Sequence, residues 1–166
     1  MLPFASAEAS VTKDVFYFDK AVYKTCPAVD KLSVEPHPQY LVEGEVRGPK
    51  LRGKMIAQGT FGAFSPDFSK FTFSTKWNIV DVNADVILSA ECSGYATTQV
   101  VETNLQPNEI GNAIWGESCK ITGGSKSFAK LVGKTMLTSG FYKDPMKAPC
   151  QPGVSTINGY KMVVPN

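Results

Sequence analysis

The sequence predicts an all-β fold, an eight-stranded antiparallel β-barrel, on the strength of two observations. Clusters of Gly, Pro, Asn, Asp and Ser interrupt the chain at short intervals, and the segments between them are rich in Val, Ile, Phe, Tyr and Thr. The sustained apolar period of an amphipathic helix between capping residues is missing from the sequence. Eight short strands are enough to close a small barrel.

The predicted strands begin and end at these breaks in the apolar pattern. In chain order they are Asp14 to Lys24, Tyr40 to Arg47, Leu51 to Gln58, Lys70 to Val80, Asp85 to Tyr95, Ala113 to Ile121, Phe128 to Tyr142 and Thr156 to Val164. They predict a single β-barrel domain over residues 14–166, preceded by an N-terminal tail over residues 1–13.

The fourth predicted strand shows the clearest alternation. Its apolar face consists of Phe71, Phe73, Thr75, Trp77 and Ile79, and the residues between them are polar. This face is therefore expected to be buried. The fifth predicted strand alternates less cleanly, so both of its faces are expected to meet protein or ligand.

Two longer segments are predicted to be irregular. The segment Cys26 to Gln39 contains three prolines and the single histidine, His37, and could lie across one mouth of the barrel. The segment Gln99 to Gly111 contains Pro107 and is expected to be a loop with at most one helical turn.

Composition limits the classes of function. The 166 residues are 43% hydrophobic and 19% charged, with a formal net charge of +2, so neither nucleic acid nor an acidic membrane is indicated as a partner. The sequence lacks an apolar run of the roughly 18 to 20 residues that a membrane-spanning helix needs. The first ten residues lack the basic and apolar regions of a signal peptide, so a cytoplasmic location is expected, with secretion left open.

The four cysteines are too widely spaced for a zinc ribbon. Cys92 and Cys119 lie in apolar, strand-like segments, where a thiol usually behaves as a small buried hydrophobic group. Cys26 and Cys150 lie beside prolines in loop-like segments, and a disulfide between them is the sharper alternative.

Sequence motifs for cofactors, metals and nucleophilic catalysis are missing. His37 is the only histidine, which argues against metal and catalytic sites built on two histidines. A GxSxG elbow, a Walker loop and a GxGxxG turn are also absent from the sequence. We therefore expect neither a bound cofactor nor a metal.

Two carboxylates on mixed strand faces are the candidate catalytic residues. Glu91 shares a face with Ile87 and Tyr95, and Glu117 shares one with Trp115. If these faces point into the barrel, desolvation raises the pKa of each carboxyl group and suits it to proton transfer. The alternative is that both faces point outward and that both carboxylates are solvated.

Five aromatic residues are the candidate lining of a substrate pocket. They are Trp77, Trp115, Tyr95, Phe73 and Tyr17. An eight-stranded barrel is just wide enough for side chains or for one small ligand, so ordinary core packing is the alternative for each residue alone.

Two glycine motifs carry a resemblance to a known superfamily. Residues 123–133 read GGSKSFAKLVG, a GGSxxFxxxxG pattern, and residues 44–53 read GEVRGPKLRG, a GxxxGPxLxG pattern. The first resembles the late hairpin of the allene oxide cyclase and dirigent-like barrels, and the second is similar to a segment of a family of small, uncharacterised microbial barrel proteins. The hairpin motif predicts positive φ at Gly123 or Gly124 and a buried plug at Phe128.

The resemblance implies a cofactor-independent cyclase or isomerase that acts on a small hydrophobic natural-product intermediate inside the barrel. Such a barrel holds a flexible substrate in one conformation, and proximity then lowers the barrier to ring closure. The resemblance also implies a homo-oligomer, either a dimer or a trimer. The alternatives are a non-catalytic, lipocalin-like carrier and a dirigent-like protein that guides stereochemistry.

Overall fold

A computed structural model describes residues 13–26, 39–48, 51–67, 69–99 and 109–165. Their backbone forms the strands β1 (Lys13–Thr25), β2 (Tyr40–Gly48), β3 (Leu51–Phe64), β4 (Lys70–Val80), β5 (Val86–Gln99), β6 (Asn112–Gly124), β7 (Thr135–Phe141), β8 (Val154–Thr156) and β9 (Asn158–Pro165). A short 3-10 helix, Lys126–Leu131, lies between β6 and β7.

Eight of these strands form a closed antiparallel barrel, which confirms the predicted fold class. The hydrogen-bonded order is β2-β3-β4-β5-β6-β7-β9-β1, and pairing of β1 with β2 closes the ring. The additional strand β8 pairs with the end of β1. Closure leaves these eight strands without a free edge, so each backbone has a partner on both sides.

Alternate residues of each strand fill the barrel interior. The predicted inner face of β4 is confirmed. Four of its five residues are buried and one is partly buried: Phe71, Thr75, Trp77 and Ile79 are buried, and Phe73 is partly buried. Ala57 and Ala90 are the direct cross-strand neighbours of Trp77. These small residues leave room for the Trp77 indole in the core.

A bulge in β1 changes which residues face inward. Lys20 has a φ of 51°, and the pairing with β2 shifts register at this point. Phe18 before the bulge and Ala21 after it are both buried, so the inward positions change from even to odd numbers along the strand. The bulge thereby directs Tyr23 into the barrel.

The predicted strand Phe128 to Tyr142 is wrong in its first half. Residues Lys126–Leu131 form the 3-10 helix, and β7 covers only Thr135–Phe141. Leu131 is the residue that this helix buries, with 2% of its surface exposed, whereas Phe128 is only partly buried. The helix therefore attaches to the barrel through Leu131, and Phe128 is not the buried plug that the motif predicts.

The predicted glycine turn is also misplaced. Gly123 and Gly124 belong to β6, and positive φ occurs instead at Lys126 (54°) and Gly133 (85°). Gly124 serves a different purpose, because a Cβ on it would stand 2.4 Å from the carbonyl oxygen of Phe128. It allows the helix to pack against the end of β6, while the left-handed residues turn the chain into and out of the helical segment.

The last predicted strand is divided into two strands. Ile157 separates β8 from β9, is buried, and donates its backbone N–H to the carbonyl oxygen of Ala21 at 2.8 Å. β8 pairs with β1 alone, whereas β9 lies between β1 and β7. Because of the break at Ile157, β9 is one of the barrel strands, whereas β8 extends the sheet only beside the end of β1.

Residues 142–153, called the capping segment below, pack against the end of the barrel where β1 finishes and β2 begins. The Thr25 hydroxyl donates a hydrogen bond of 3.0 Å to the carbonyl oxygen of Gln151. The Lys147 ammonium group lies 3.0 Å from the Glu109 carboxylate, and both side chains are largely buried. These contacts fix the capping segment to the body of the barrel.

All four cysteines form disulfides. Cys26–Cys150 links the end of β1 to the capping segment, so the sharper alternative for this pair is correct. Cys92–Cys119 joins directly opposed residues of β5 and β6, so the expectation of two buried thiols is wrong. The register of the two strands brings these sulfurs together, and the sequence spacing alone does not show that register.

The outer surface of β5, β6 and β7 exposes several large apolar side chains. They are Tyr95, Ile114, Leu137 and Phe141. Exposed apolar residues of this kind are compatible with the expected homo-oligomer, which stays a prediction. Among the residues described, no helix has the length and apolar character needed to cross a membrane.

Some sequence predictions concern residues outside the described ranges. His37 and residues 27–38 of the proline-rich segment are among them, as are residues 1–12 of the N-terminal tail. The same holds for residues 100–108 of the predicted loop between β5 and β6.

Candidate functional site

A cavity lies inside the barrel at the end that the capping segment covers. Its volume is about 40 Å³, which is room for about three water molecules. Of the described residues that line it, all are buried except Phe61 and Phe73, which are partly exposed. Among the described lining residues, these two side chains are therefore the ones that solvent reaches.

Aromatic rings form most of the cavity wall. Four belong to tyrosines, and the others to phenylalanine and tryptophan: Tyr23, Tyr40, Tyr142, Tyr160, Phe61, Phe71, Phe73 and Trp115. Trp115 meets Tyr160 edge to face with the ring centroids 4.9 Å apart, and it meets Phe73 in the same way at 6.2 Å. A wall of this kind suits a small apolar ligand or a flat ring.

Glu117 is the only carboxyl group among the described lining residues. The Thr138 hydroxyl donates to its Oε2 at 2.6 Å, and the Thr75 hydroxyl donates to its Oε1. The Thr75 oxygen lies 2.6 Å from the hydroxyl of Tyr40. A chain of hydroxyl groups therefore leads from the carboxyl group to the aromatic wall.

Burial raises the pKa of Glu117 above its usual value, and the hydrogen bonds from Thr138 and Thr75 offset only part of this effect. Burial also raises the pKa of each of the four wall tyrosines, so their phenol groups stay protonated at neutral pH. The described part of the wall contains no Lys, Arg or His side chain that would stabilise a carboxylate. Burial therefore shifts the equilibrium of Glu117 toward its neutral form, which can donate a proton.

Two glycines let aromatic rings fold across the neighbouring strand toward the cavity. Phe73 pairs with Gly94, and a Cβ on Gly94 would stand 2.3 Å from the Phe73 ring. Trp115 pairs with Gly140, and a Cβ there would stand 2.7 Å from the indole. The bare backbone at both positions is what allows these rings to lie where they do.

Three of the seven predicted site residues meet in the cavity. Glu117 and Trp115 are two residues apart on β6 and point to the same side, and Phe73 reaches the cavity from β4. Trp77 is also inside the barrel, with 1% of its surface exposed, but it does not belong to the described lining. Its role is core packing, which was the alternative for each aromatic residue.

Glu91 lies outside the barrel, so its predicted place in the pocket is wrong. Its carboxylate is 3.4 Å from the ammonium group of Lys76, and both side chains are exposed. Ile87, which the spacing puts on the face of Glu91, is buried and lies at a bulge where the pairing of β5 with β4 skips one residue. A bulge changes which residues of a strand face inward, so an apolar residue before it does not show where the later residues of that strand point.

Tyr95 and Tyr17 also lie outside the barrel, which corrects their predicted role in lining the pocket. Tyr95 is 51% exposed and Tyr17 is 44% exposed. The guanidinium group of Arg47, the cross-strand neighbour of Tyr17, lies over its ring at 5.4 Å from the centroid. An aromatic residue of a strand stabilises an outer surface through such contacts as readily as it lines a cavity.

Sequence reasoning missed the residues that hold Glu117. Thr75 lies within the predicted inner face of β4, and Thr138 occupies an inward position of β7 between Met136 and Gly140. A threonine at an inward position of an apolar face is the signal that could have identified both, because a buried hydroxyl needs a hydrogen-bond partner. Tyr40 carries no comparable signal, since it is the first residue of its strand.

Three buried donors have no hydrogen-bond partner among the described residues. They are the hydroxyl of Tyr23 and the indole Nε1–H groups of Trp77 and Trp115. Tyr23 and Trp115 line the cavity, whereas Trp77 is not part of the described lining. A buried donor left unpaired costs roughly 1 to 3 kcal/mol, so most such groups in proteins have a partner.

A sulfur or carboxylate oxygen from each of Cys92, Glu117 and Cys119 lies within 4.8 Å of the others. Both sulfurs are joined in a disulfide, and metal ions bind thiolates. This cluster is therefore not a metal centre in the oxidised protein.

Comparison with models of protein families, with curated proteins and with solved structures gives no match for this chain. The resemblance to allene oxide cyclase and dirigent-like barrels therefore depends on the two glycine motifs alone and stays a prediction.

Proposed function

We propose that this protein binds a small, mostly apolar molecule beside Glu117 and catalyses its isomerisation or ring closure without a cofactor. The observation that supports this proposal is the buried carboxyl group of Glu117, the only one among the described lining residues, in a wall made mainly of aromatic rings. Burying a carboxyl group costs free energy, and an apolar side chain would fill the same space more stably. A chemical role for Glu117 explains why the barrel bears that cost.

In this proposal Glu117 acts as a general acid. Its neutral carboxyl group gives a proton to the carbonyl oxygen of the substrate, and the resulting carboxylate removes a proton from the α-carbon, which gives a dienol. The carboxyl group then protonates the γ-carbon, and its carboxylate takes back the proton from the enol oxygen, so that the product forms and Glu117 is regenerated. No co-reactant is consumed in such an isomerisation. Because a hydroxyl group can donate or accept, Thr75 and Thr138 can hold the carboxyl group in either protonation state.

The size of the cavity sets a condition on binding. Its volume of about 40 Å³ is smaller than the roughly 150 Å³ of an engineered cavity that admits benzene. A six-membered ring therefore requires the partly exposed side chains of Phe61 and Phe73 to turn outward. Once the ring is inside, the aromatic wall restrains its orientation, and this restraint contributes to lowering the barrier.

A simple proton-transfer reaction tests the proposal. The probe is 3-cyclohexen-1-one, whose isomerisation to the conjugated 2-cyclohexen-1-one is followed by ultraviolet absorbance. We expect the wild-type protein to accelerate this reaction and Glu117→Gln to lower the rate by about 100-fold or more, as for the loss of a general acid. Glu91→Gln is the matched control, because the same change is made outside the barrel and should leave the rate unchanged.

Carriage of a small molecule without catalysis is the second candidate function. It is favoured by the observation that both oxygens of Glu117 already accept hydrogen bonds from threonine hydroxyls. In that case the carboxyl group serves to fix β4, β6 and β7 to one another. Saturable binding of the cyclohexenone with no acceleration of its isomerisation would favour carriage and contradict the enzyme proposal.

The disulfides bear on where this function takes place. Cys26–Cys150 and Cys92–Cys119 are of the kind that persists in oxidising compartments. They favour secretion, which the sequence left open, over the expected cytoplasmic location. Location stays a proposal that fractionation of the source cells would test.

A further inference from the structure

We infer that the ligand of this cavity carries a neutral oxygen acceptor, such as a ketone, ester or ether oxygen, which binds the indole N–H of Trp115. The hydroxyl of Tyr23 is the second donor available to it. This inference depends on the proposed function and names the chemical class of its substrate.

Two hydrogen-bond donors in the cavity wall, on Trp115 and Tyr23, have no partner among the described residues. Trp115 is 8% exposed and Tyr23 is 2% exposed, and both line the cavity. The donor atom of each is buried and has no partner among the described residues. An indole N–H can only donate, so whatever satisfies Trp115 has to be an acceptor.

The rest of the wall limits what that acceptor can be. An anionic ligand would find no cationic side chain among the described lining residues, and it would lie close to Glu117. An ammonium ligand would point its own donors at an indole N–H that also donates. A neutral oxygen on an apolar frame matches both the donors and the aromatic wall.

Trp77 supplies an internal comparison. Its Nε1–H is also buried without a partner among the described residues, but Trp77 does not line the cavity. Replacing Trp77 or Trp115 by phenylalanine therefore removes the same kind of donor, in one case away from the ligand and in the other beside it. The inference predicts that only the second change affects recognition of the oxygen.

The test uses two probes of the same shape. Cyclohexanone has a carbonyl oxygen, and methylenecyclohexane has a methylene group in the same place. Nuclear magnetic resonance of the nitrogen-15-labelled protein follows the two indole N–H signals, which Trp77→Phe assigns. We expect cyclohexanone to move the indole N–H signal of Trp115 downfield, because a new hydrogen bond has this effect. Methylenecyclohexane cannot accept a hydrogen bond in this way and should not cause the downfield shift. Titrations then give the affinity ratio of the two probes for each protein.

We expect this ratio to fall by about five- to tenfold in Trp115→Phe, the amount that one hydrogen bond is worth, and to be unchanged in Trp77→Phe. Equal ratios in the wild type and Trp115→Phe, with both probes bound, would overturn the inference and leave the proposed function intact. Tighter binding of cyclohexylammonium than of cyclohexanone would also overturn it. Failure of every probe to bind would overturn the proposed function and this inference together. If Trp115→Phe does not fold, the Trp115 signal of the wild-type protein still decides the question.

Discussion

The ring of Tyr40 lies so close over Gly59, its cross-strand partner on β3, that a Cβ on residue 59 would stand 2.1 Å from the Tyr40 hydroxyl oxygen. That hydroxyl lies 2.6 Å from the hydroxyl of Thr75, which in turn donates to Glu117. The absence of a side chain at Gly59 is therefore a condition for the hydrogen-bond chain that ends at the carboxyl group.

Gly59→Ala should displace the Tyr40 ring and destabilise the protein by about 1 to 3 kcal/mol, the usual cost of overpacking a core. Gly116→Ala is the matched control, since the nearest atom to a Cβ there is a carbonyl oxygen at an ordinary 3.6 Å. Denaturant unfolding of both variants measures the difference. Equal stability of the two would show that the Tyr40 ring is not fixed by its contact with Gly59.

The buried carboxyl group should make stability depend on pH. The folded protein holds the Glu117 proton above the usual pKa of 4.5, at pH values where the unfolded chain has lost it. The folded state then binds more protons, so the contribution of Glu117 to the free energy of unfolding decreases as pH rises through this window. Glu117→Gln has no such proton, and the stability of the wild type relative to this variant should fall between pH 4 and neutral pH. A relative stability that rises with pH would mean that folding lowers the pKa of Glu117, which would contradict this prediction.

The two disulfides should be reduced in a fixed order. Cys26 and Cys150 are exposed, whereas Cys92 and Cys119 are 6% and 1% exposed. Exchange with a dithiol requires access to sulfur, so limited reduction followed by alkylation and peptide mapping should label Cys26 and Cys150 first. First labelling at Cys92 and Cys119 would contradict the described burial of that pair.

The 3-10 helix should be anchored to the barrel by Leu131 and not by Phe128. Leu131→Ala removes a side chain that is 2% exposed and should cost about 2 to 5 kcal/mol. Phe128→Ala removes a larger side chain that is only partly buried, so its cost should be smaller. Thermal unfolding compares the two variants, and a larger loss in Phe128→Ala would restore the plug that the sequence motif predicts.

The barrel could be predicted from sequence because strand punctuation and alternation are local properties. The inner face of β4 illustrates this, since every second residue from Phe71 to Ile79 faces inward as the pattern indicates. The same pattern failed on β5, where Ile87 lies at a bulge and is buried, although Glu91 four residues later is exposed. Periodicity shows that two faces differ, but it does not show where a bulge exchanges them.

The candidate site was predictable only in part for a related reason. Trp115 and Glu117 share a strand, so their common face follows from spacing alone. Their contact with Thr75, Tyr40 and the capping segment depends on barrel closure and register, which the spacing does not encode. The Cys92–Cys119 disulfide, between residues that oppose each other on neighbouring strands, was missed for the same reason.

The most direct test of the central claim is whether a small apolar molecule binds in the cavity beside Glu117. Ala96 lines the cavity and is 1% exposed, so Ala96→Leu should fill the space, while Thr97→Leu adds the same side chain at the next position as a control. Calorimetric titration with 3-cyclohexen-1-one should show saturable binding at one site in the wild type and in Thr97→Leu, and none in a folded Ala96→Leu. Equal binding by Ala96→Leu and the wild type, or no saturable binding by the wild type, would contradict the account.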